Sequence, residues 1–135
     1  MPNLVAALYG DEPATILVVE DEIIIRMNLA DFLADEGYTV LEASNAAEAV
    51  GILCNAAQRV DLVLSDVRMP GEMDGLGLAS WLQEHHKGLP VILTSGDVGQ
   101  GNTQMGFAGV RFLGKPYHLR DVAEKITEVM RPIAA

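Results

Sequence analysis

The 135-residue chain has one cysteine, nine Lys and Arg against nineteen Asp and Glu, and no apolar run near the ~20 residues that a bilayer-spanning helix needs. Each scarcity closes off a class. The lone thiol, Cys54, cannot form an internal disulfide, which fits a reducing compartment. Its place beside Leu53 in a helical pattern predicts a small buried or half-buried side chain. A net charge of −10 with no basic run argues against a nucleic-acid surface, because phosphate backbones demand clustered Lys and Arg. The opening MPNLVAALYGDEP lacks the basic start of a signal peptide, so the expectation is a cytoplasmic protein with no membrane partner. Repeats and low-complexity tracts are missing too. What remains, 50% apolar and 21% charged residues, is the composition of one globular domain large enough to build a core.

Two periodicities alternate along the chain. Short β-rich runs occupy Thr15–Glu20, Tyr38–Glu42, Val60–Asp66, Pro90–Ser95 and Gly109–Leu113. Helical spacing covers Glu22–Glu36, Ala46–Gln58, Leu76–His86 and Leu119–Met130. Turn residues punctuate the pattern: Gly37 and Gly88 end helices, and Asn45 caps one. Strands alternating with helices predict an α/β fold, a doubly wound five-stranded parallel sheet with helices on both faces and the flavodoxin-like order 2-1-3-4-5. The near-continuous apolar runs Ile16–Val19, Leu62–Leu64 and Val91–Leu93 fit strands buried on both sides. Residues 1–13 read as a loose tail and 14–131 as the domain, with no output domain after it. Asp97–Gly106, where a further helix belongs, carries three glycines, each costing about 1 kcal/mol relative to Ala, and reads as a frayed helix and a mobile switch.

The chemistry-bearing residues sit at strand ends. Glu20 and Asp21 close the first strand, Asp66 closes the third, and Lys115 follows the fifth. In a parallel sheet these ends line one edge, where ligands bind. Three clustered carboxylates repel one another unless a cation neutralises them, and an all-oxygen donor set suits a hard ion such as Mg²⁺. A lysine in the same crevice suits a phosphoryl group, and the combination is that of phosphoryl transfer.

The segments VVEDE, LVLSDVRMP, VILTSG and FLGKP, in this order and spacing, resemble the receiver domain of bacterial two-component response regulators over roughly residues 15–131. The resemblance implies a role for each site residue. Asp66 is the phosphoacceptor, taking a phosphoryl group from a phosphohistidine as an acyl phosphate. Glu20 and Asp21 hold Mg²⁺ together with Asp66 and the backbone carbonyl of Arg68. Thr94 and Lys115 contact the phosphoryl oxygens, and Pro116 follows through the family's tight Lys-Pro turn, a place for a cis bond. Thr94 and Phe112 form the switch pair. The implied partners are a sensor histidine kinase or a histidine phosphotransfer protein, and a downstream protein the sequence does not specify.

Departures and alternatives accompany that reading. The first acid is Glu rather than Asp, and the loop MPGEMDG is one residue longer than the family's usual Met-Pro-x-x-Asp-Gly. Arg68 and Gly96 are expected at opposite rims of the site. His85 and His86 read as solvating a helix end, and His118 as opening the last helix. In the first helix Ile25, Leu29 and either Phe32 or Leu33 follow the core stripe, which leaves Ile23, Ile24 and Met27 exposed beside the acids as a docking face for the phosphodonor. Other readings are a phosphate sink or relay intermediate, a phosphorylation-independent scaffold, a flavodoxin-like cofactor binder and an aspartyl-phosphate hydrolase. The cofactor binder would need a phosphate loop where VVEDE stands. The hydrolase would carry a second acid at position 68, which is arginine.

Overall fold

The computed structural model describes residues 13–96 and 110–130. The tail expected over 1–13 and the frayed switch helix expected over 97–106 fall outside the described residues, apart from Pro13 at the entry to the first strand. The described elements are β1 (Thr15–Val19), α1 (Ile23–Asp35), β2 (Thr39–Ala43), α2 (Ala46–Leu53), β3 (Leu62–Asp66), α3 (Gly75–His85), β4 (Val91–Ser95), β5 (Val110–Gly114) and α4 (Leu119–Met130). The strands form one parallel sheet in the order β2-β1-β3-β4-β5. The expected topology is the observed one.

The period-2 alternation of a strand splits the core into two layers. Leu17, Val19, Val63, Val91 and Leu93 face α2 and α3 and pack on Ala46, Ala49, Leu53, Leu78, Ala79 and Leu82. Ile16, Val18, Leu62, Leu64 and Ile92 face α1 and α4 and pack on Leu29, Leu33, Val122 and Ile126. All residues of β1, β3 and β4 are buried, as central strands covered on both sides must be.

Local signals account for most boundaries. Gly37 (φ 103°) turns the chain out of α1, and Gly88 (φ 91°) lies just beyond α3. Asn45 accepts the Glu48 N–H at 2.8 Å to cap α2, and Asp74 accepts the Gly77 N–H at 2.9 Å to cap α3. In the loop before that cap Gly71 takes φ 110°, a conformation that favours glycine. Leu33 takes the core position in α1, and Phe32 packs half-buried beside it.

Three local expectations need correction. α2 stops at Leu53 instead of Gln58. Beyond it the Asn55 side chain accepts the Ala57 N–H at 3.0 Å, a local turn that competes with the helix. Cys54 is therefore the residue at which the chain leaves α2, and it is exposed rather than buried. His85 does more than solvate a helix end: its ring stacks on Trp81 at 4.7 Å, with His86 tilted against the same indole at 5.4 Å. No helix among the described residues is long and apolar enough to cross a membrane.

Candidate functional site

Parallel register brings the reactive residues together. Asp66 on β3 lies beside Thr94 on β4, and Val19 on β1 lies beside Ser65. The ladders continue past the strand ends: Glu20 N–H donates to Ala43 O at 3.0 Å, Val67 N–H to Thr94 O at 2.9 Å, and Lys115 N–H to Ser95 O at 3.0 Å. Glu20, Asp66 and Lys115 are thus fixed by backbone pairing before any side chain is considered. The Lys115–Pro116 peptide is cis.

One carboxylate oxygen from each of Glu20, Asp21 and Asp66 lies within 4.8 Å of the others. Glu20 and Asp66 are buried, at 3% and 8% exposure, while Asp21 faces solvent. Lys115 Nζ donates to Asp66 Oδ2 at 2.9 Å, and Thr94 is buried alongside. Burial, then the charge of Asp66, push the Glu20 carboxyl up to about 7; the Glu22 N–H donated to its Oε2 at 3.1 Å and Lys115 only partly offset this. Burial works against the Lys115 charge, but its hydrogen bond to Asp66 and the nearby acids outweigh it and hold the ammonium above its usual range. An oxygen-only trio with a buried, destabilised carboxylate fits a hard divalent cation, which would relieve the charge that a single lysine leaves.

Two more residues belong to the site. Arg26, on the first turn of α1, donates to the Glu20 carbonyl at 2.8 Å and pairs with Glu42 at the end of β2 at 3.2 Å. It ties the acidic loop to the neighbouring strand. Tyr117 is half-buried beyond the cis bond, where burial raises its hydroxyl pKa and Lys115 lowers it less. The sequence signal for Arg26 is a cation one helical turn past the acidic pair; Tyr117 carries none.

Arg68 is exposed at the rim, and Gly96 is exposed at the turn after β4. Phe112 is half-buried and packs against the core layer of α2 and α3. On α1, Ile23, Ile24 and Met27 are 56%, 66% and 48% exposed. Beside them a cleft of about 500 Å³ is lined by Ile25, Asn28, Leu29, Lys115, Pro116 and Tyr117. His118 does open α4, its N–H donating to Asp121 Oδ2 at 3.0 Å.

Comparison with known proteins places the chain among proteins of similar sequence and fold. The chain is 38% identical over 119 residues to the sensor kinase CckA of Brucella abortus, covering 87% of this chain and 12% of that protein. It is 34% identical over 116 residues to the transcriptional regulatory protein PdtaR of Mycobacterium tuberculosis, covering 84% of this chain and 55% of that one. The chain spans about half, or much less, of the length of these curated relatives. Among solved structures, the receiver domain of the hybrid histidine kinase CckA superposes with a TM-score of 0.74 at 36% identity, covering 87% of this chain and all of that one. The response regulator TrrA of Thermotoga maritima, in complex with Mg(2+)-BeF, gives 0.75 at 28% identity, covering 87% of this chain and 99% of that one. The family model for the response regulator receiver domain matches residues 16–127, from β1 into α4, and the chain belongs to that family.

Proposed function

We propose that this chain is a phosphoacceptor of two-component signalling in which Asp66 takes the phosphoryl group. The observation that carries the reading is the Asp66 carboxylate itself, paired with Lys115 at 2.9 Å and within 4.8 Å of oxygens of Glu20 and Asp21. An Asp66 oxygen attacks phosphorus, the phosphorus–nitrogen bond of the phosphohistidine breaks, and the imidazole leaves with the electron pair. Lys115 pairs with a phosphoryl oxygen as that charge moves onto Asp66, and the Thr94 hydroxyl, one strand away, donates to another. Glu20, Asp21, Asp66 and the Arg68 carbonyl would hold Mg²⁺, which when bound supplies positive charge to the phosphoryl oxygens. Through Thr94, the new acyl phosphate acts on Phe112, the second half of the switch pair.

The donor is a sensor histidine kinase or a histidine phosphotransfer protein, docking a helix that carries the phosphohistidine on Ile23, Ile24 and Met27. That apolar patch lies on the helix that starts at the acidic loop, so a helix seated there presents its histidine to Asp66. Phosphotransfer profiling tests the reading. Label should leave one or a few phosphohistidine domains for the wild-type chain and stay on them with Asp66→Asn. Transfer to Asp66→Asn at the wild-type rate would place the acceptor elsewhere.

A further inference from the structure

Gly75, the first residue of α3, sits against the back of the phosphoacceptor. Its φ lies outside the left-handed region, where Gly37, Gly71 and Gly88 are found, so its backbone would accept any residue. Space is what excludes a side chain. A Cβ there would collide with the Asp66 carbonyl oxygen and lie 2.7 Å from Val67 Cα and 2.9 Å from the Asp66 carbonyl carbon. All three are backbone atoms, with no flexible end to swing aside.

The Asp66–Val67 peptide is held from several directions. Gly75 N–H donates to Val67 O at 2.8 Å, Val67 N–H donates to Thr94 O at 2.9 Å, and Ser65 Oγ donates to Asp66 O at 2.9 Å. α3 is equally constrained, because Leu78, Ala79 and Leu82 are fully buried in the core. A side chain at position 75 therefore has to displace the peptide that carries the phosphoacceptor. We propose that Gly75 is a positioning residue: its missing side chain lets α3 seat directly on the Asp66 peptide and sets the Asp66 carboxylate in register with Lys115 and Thr94. The proposal rests on Asp66 as phosphoacceptor and adds what fixes its position.

The test compares Gly75→Ala with Gly77→Ala, two residues further along α3, where a Cβ meets the flexible Met73 side chain at 2.9 Å. Gly51→Ala is added to each, since a Cβ at 51 meets nothing within 4 Å and replaces a mid-helix glycine, which raises stability. With acetyl phosphate and Mg²⁺, Gly75→Ala/Gly51→Ala should fold cooperatively, yet its limiting rate of phosphoryl uptake should fall about a hundredfold, the usual cost of ~1 Å of misplacement, at an unchanged half-saturating donor concentration. Its Lys115 ammonium NMR signal should shift as the pair with Asp66 lengthens. Gly77→Ala/Gly51→Ala should keep the wild-type rate and signal. A wild-type limiting rate and Lys115 signal in the Gly75 variant overturn the proposal. So does a variant that stays unfolded, since the glycine then serves the fold and not the site. Failure of the wild-type chain to take up phosphoryl would contradict the functional reading instead, and the Lys115 signal would still decide whether Gly75 sets the pair.

Discussion

At the scale of single residues, Glu20 stands out among the described residues: a carboxyl at 3% exposure whose pKa stands at about 7 against the ordinary 4.5. Without metal, the folded chain binds a proton there that the unfolded chain has lost, so stability falls as pH rises from about 4.5 to 7 and levels off above. In EDTA, Glu20→Gln should remove that loss and gain up to about 3 kcal/mol over wild type at pH 8, with little difference at pH 4. Urea melts at the two pH values check this; equal differences at both would mean that the carboxyl does not titrate in this range. Arg26 separates two kinds of interaction. Its ion pair with Glu42 is 43% exposed on the acid's side, and such pairs contribute about 0–1 kcal/mol. Its bond to the Glu20 carbonyl is charge-assisted and partly buried, in the range of about 1.5–3 kcal/mol. Glu42→Gln should therefore change the urea midpoint little, whereas Arg26→Ala should lower it clearly. Equal losses would put the weight on the ion pair.

At the scale of elements, α1 serves two surfaces. Leu29 and Leu33 bury into the sheet, while Ile23, Ile24 and Met27 stay exposed beside the acids. Truncating Ile24 and Met27 to Ala removes roughly 100 Å² of apolar area, about 2–3 kcal/mol if a partner buries it. Transfer from a phosphohistidine protein should slow by about one to two orders of magnitude, and labelling by acetyl phosphate should hold. A fall in both reactions would make these residues part of the fold, and a fall in neither would move the docking face. The sequence carried this element well, because Ile23-Ile24-Ile25 cannot all reach one core stripe. The end of α2 was harder to read. Ala56 and Ala57 prolong an apolar pattern that the Asn55 side chain interrupts, and that interruption is also why Cys54 lies outside.

At the scale of the whole molecule, the strand order and the site follow from the same fact: hydrophobic strands end in acids or a lysine, and a parallel sheet gathers those ends. Glu20, Asp21, Asp66 and Lys115 were legible for that reason, whereas Thr94 was readable only through the family resemblance, since a threonine in a strand is ordinary. Arg26 left only a faint trace, a cation one helical turn past the acidic pair, and Tyr117 and Gly75 left none, since their importance lies in contacts between elements: a guanidinium reaching another strand, a ring beyond a cis bond, a helix start seated on a peptide. The central claim is that these strand ends make Asp66 a phosphoacceptor, and small-molecule phosphorylation tests it with no partner required. Incubated with acetyl phosphate and Mg²⁺, the wild-type chain should gain one base-labile phosphoryl group, detected as intact mass. EDTA or Asp66→Asn should abolish the gain. Labelling of Asp66→Asn equal to wild type, or uptake undiminished by EDTA, would contradict the account.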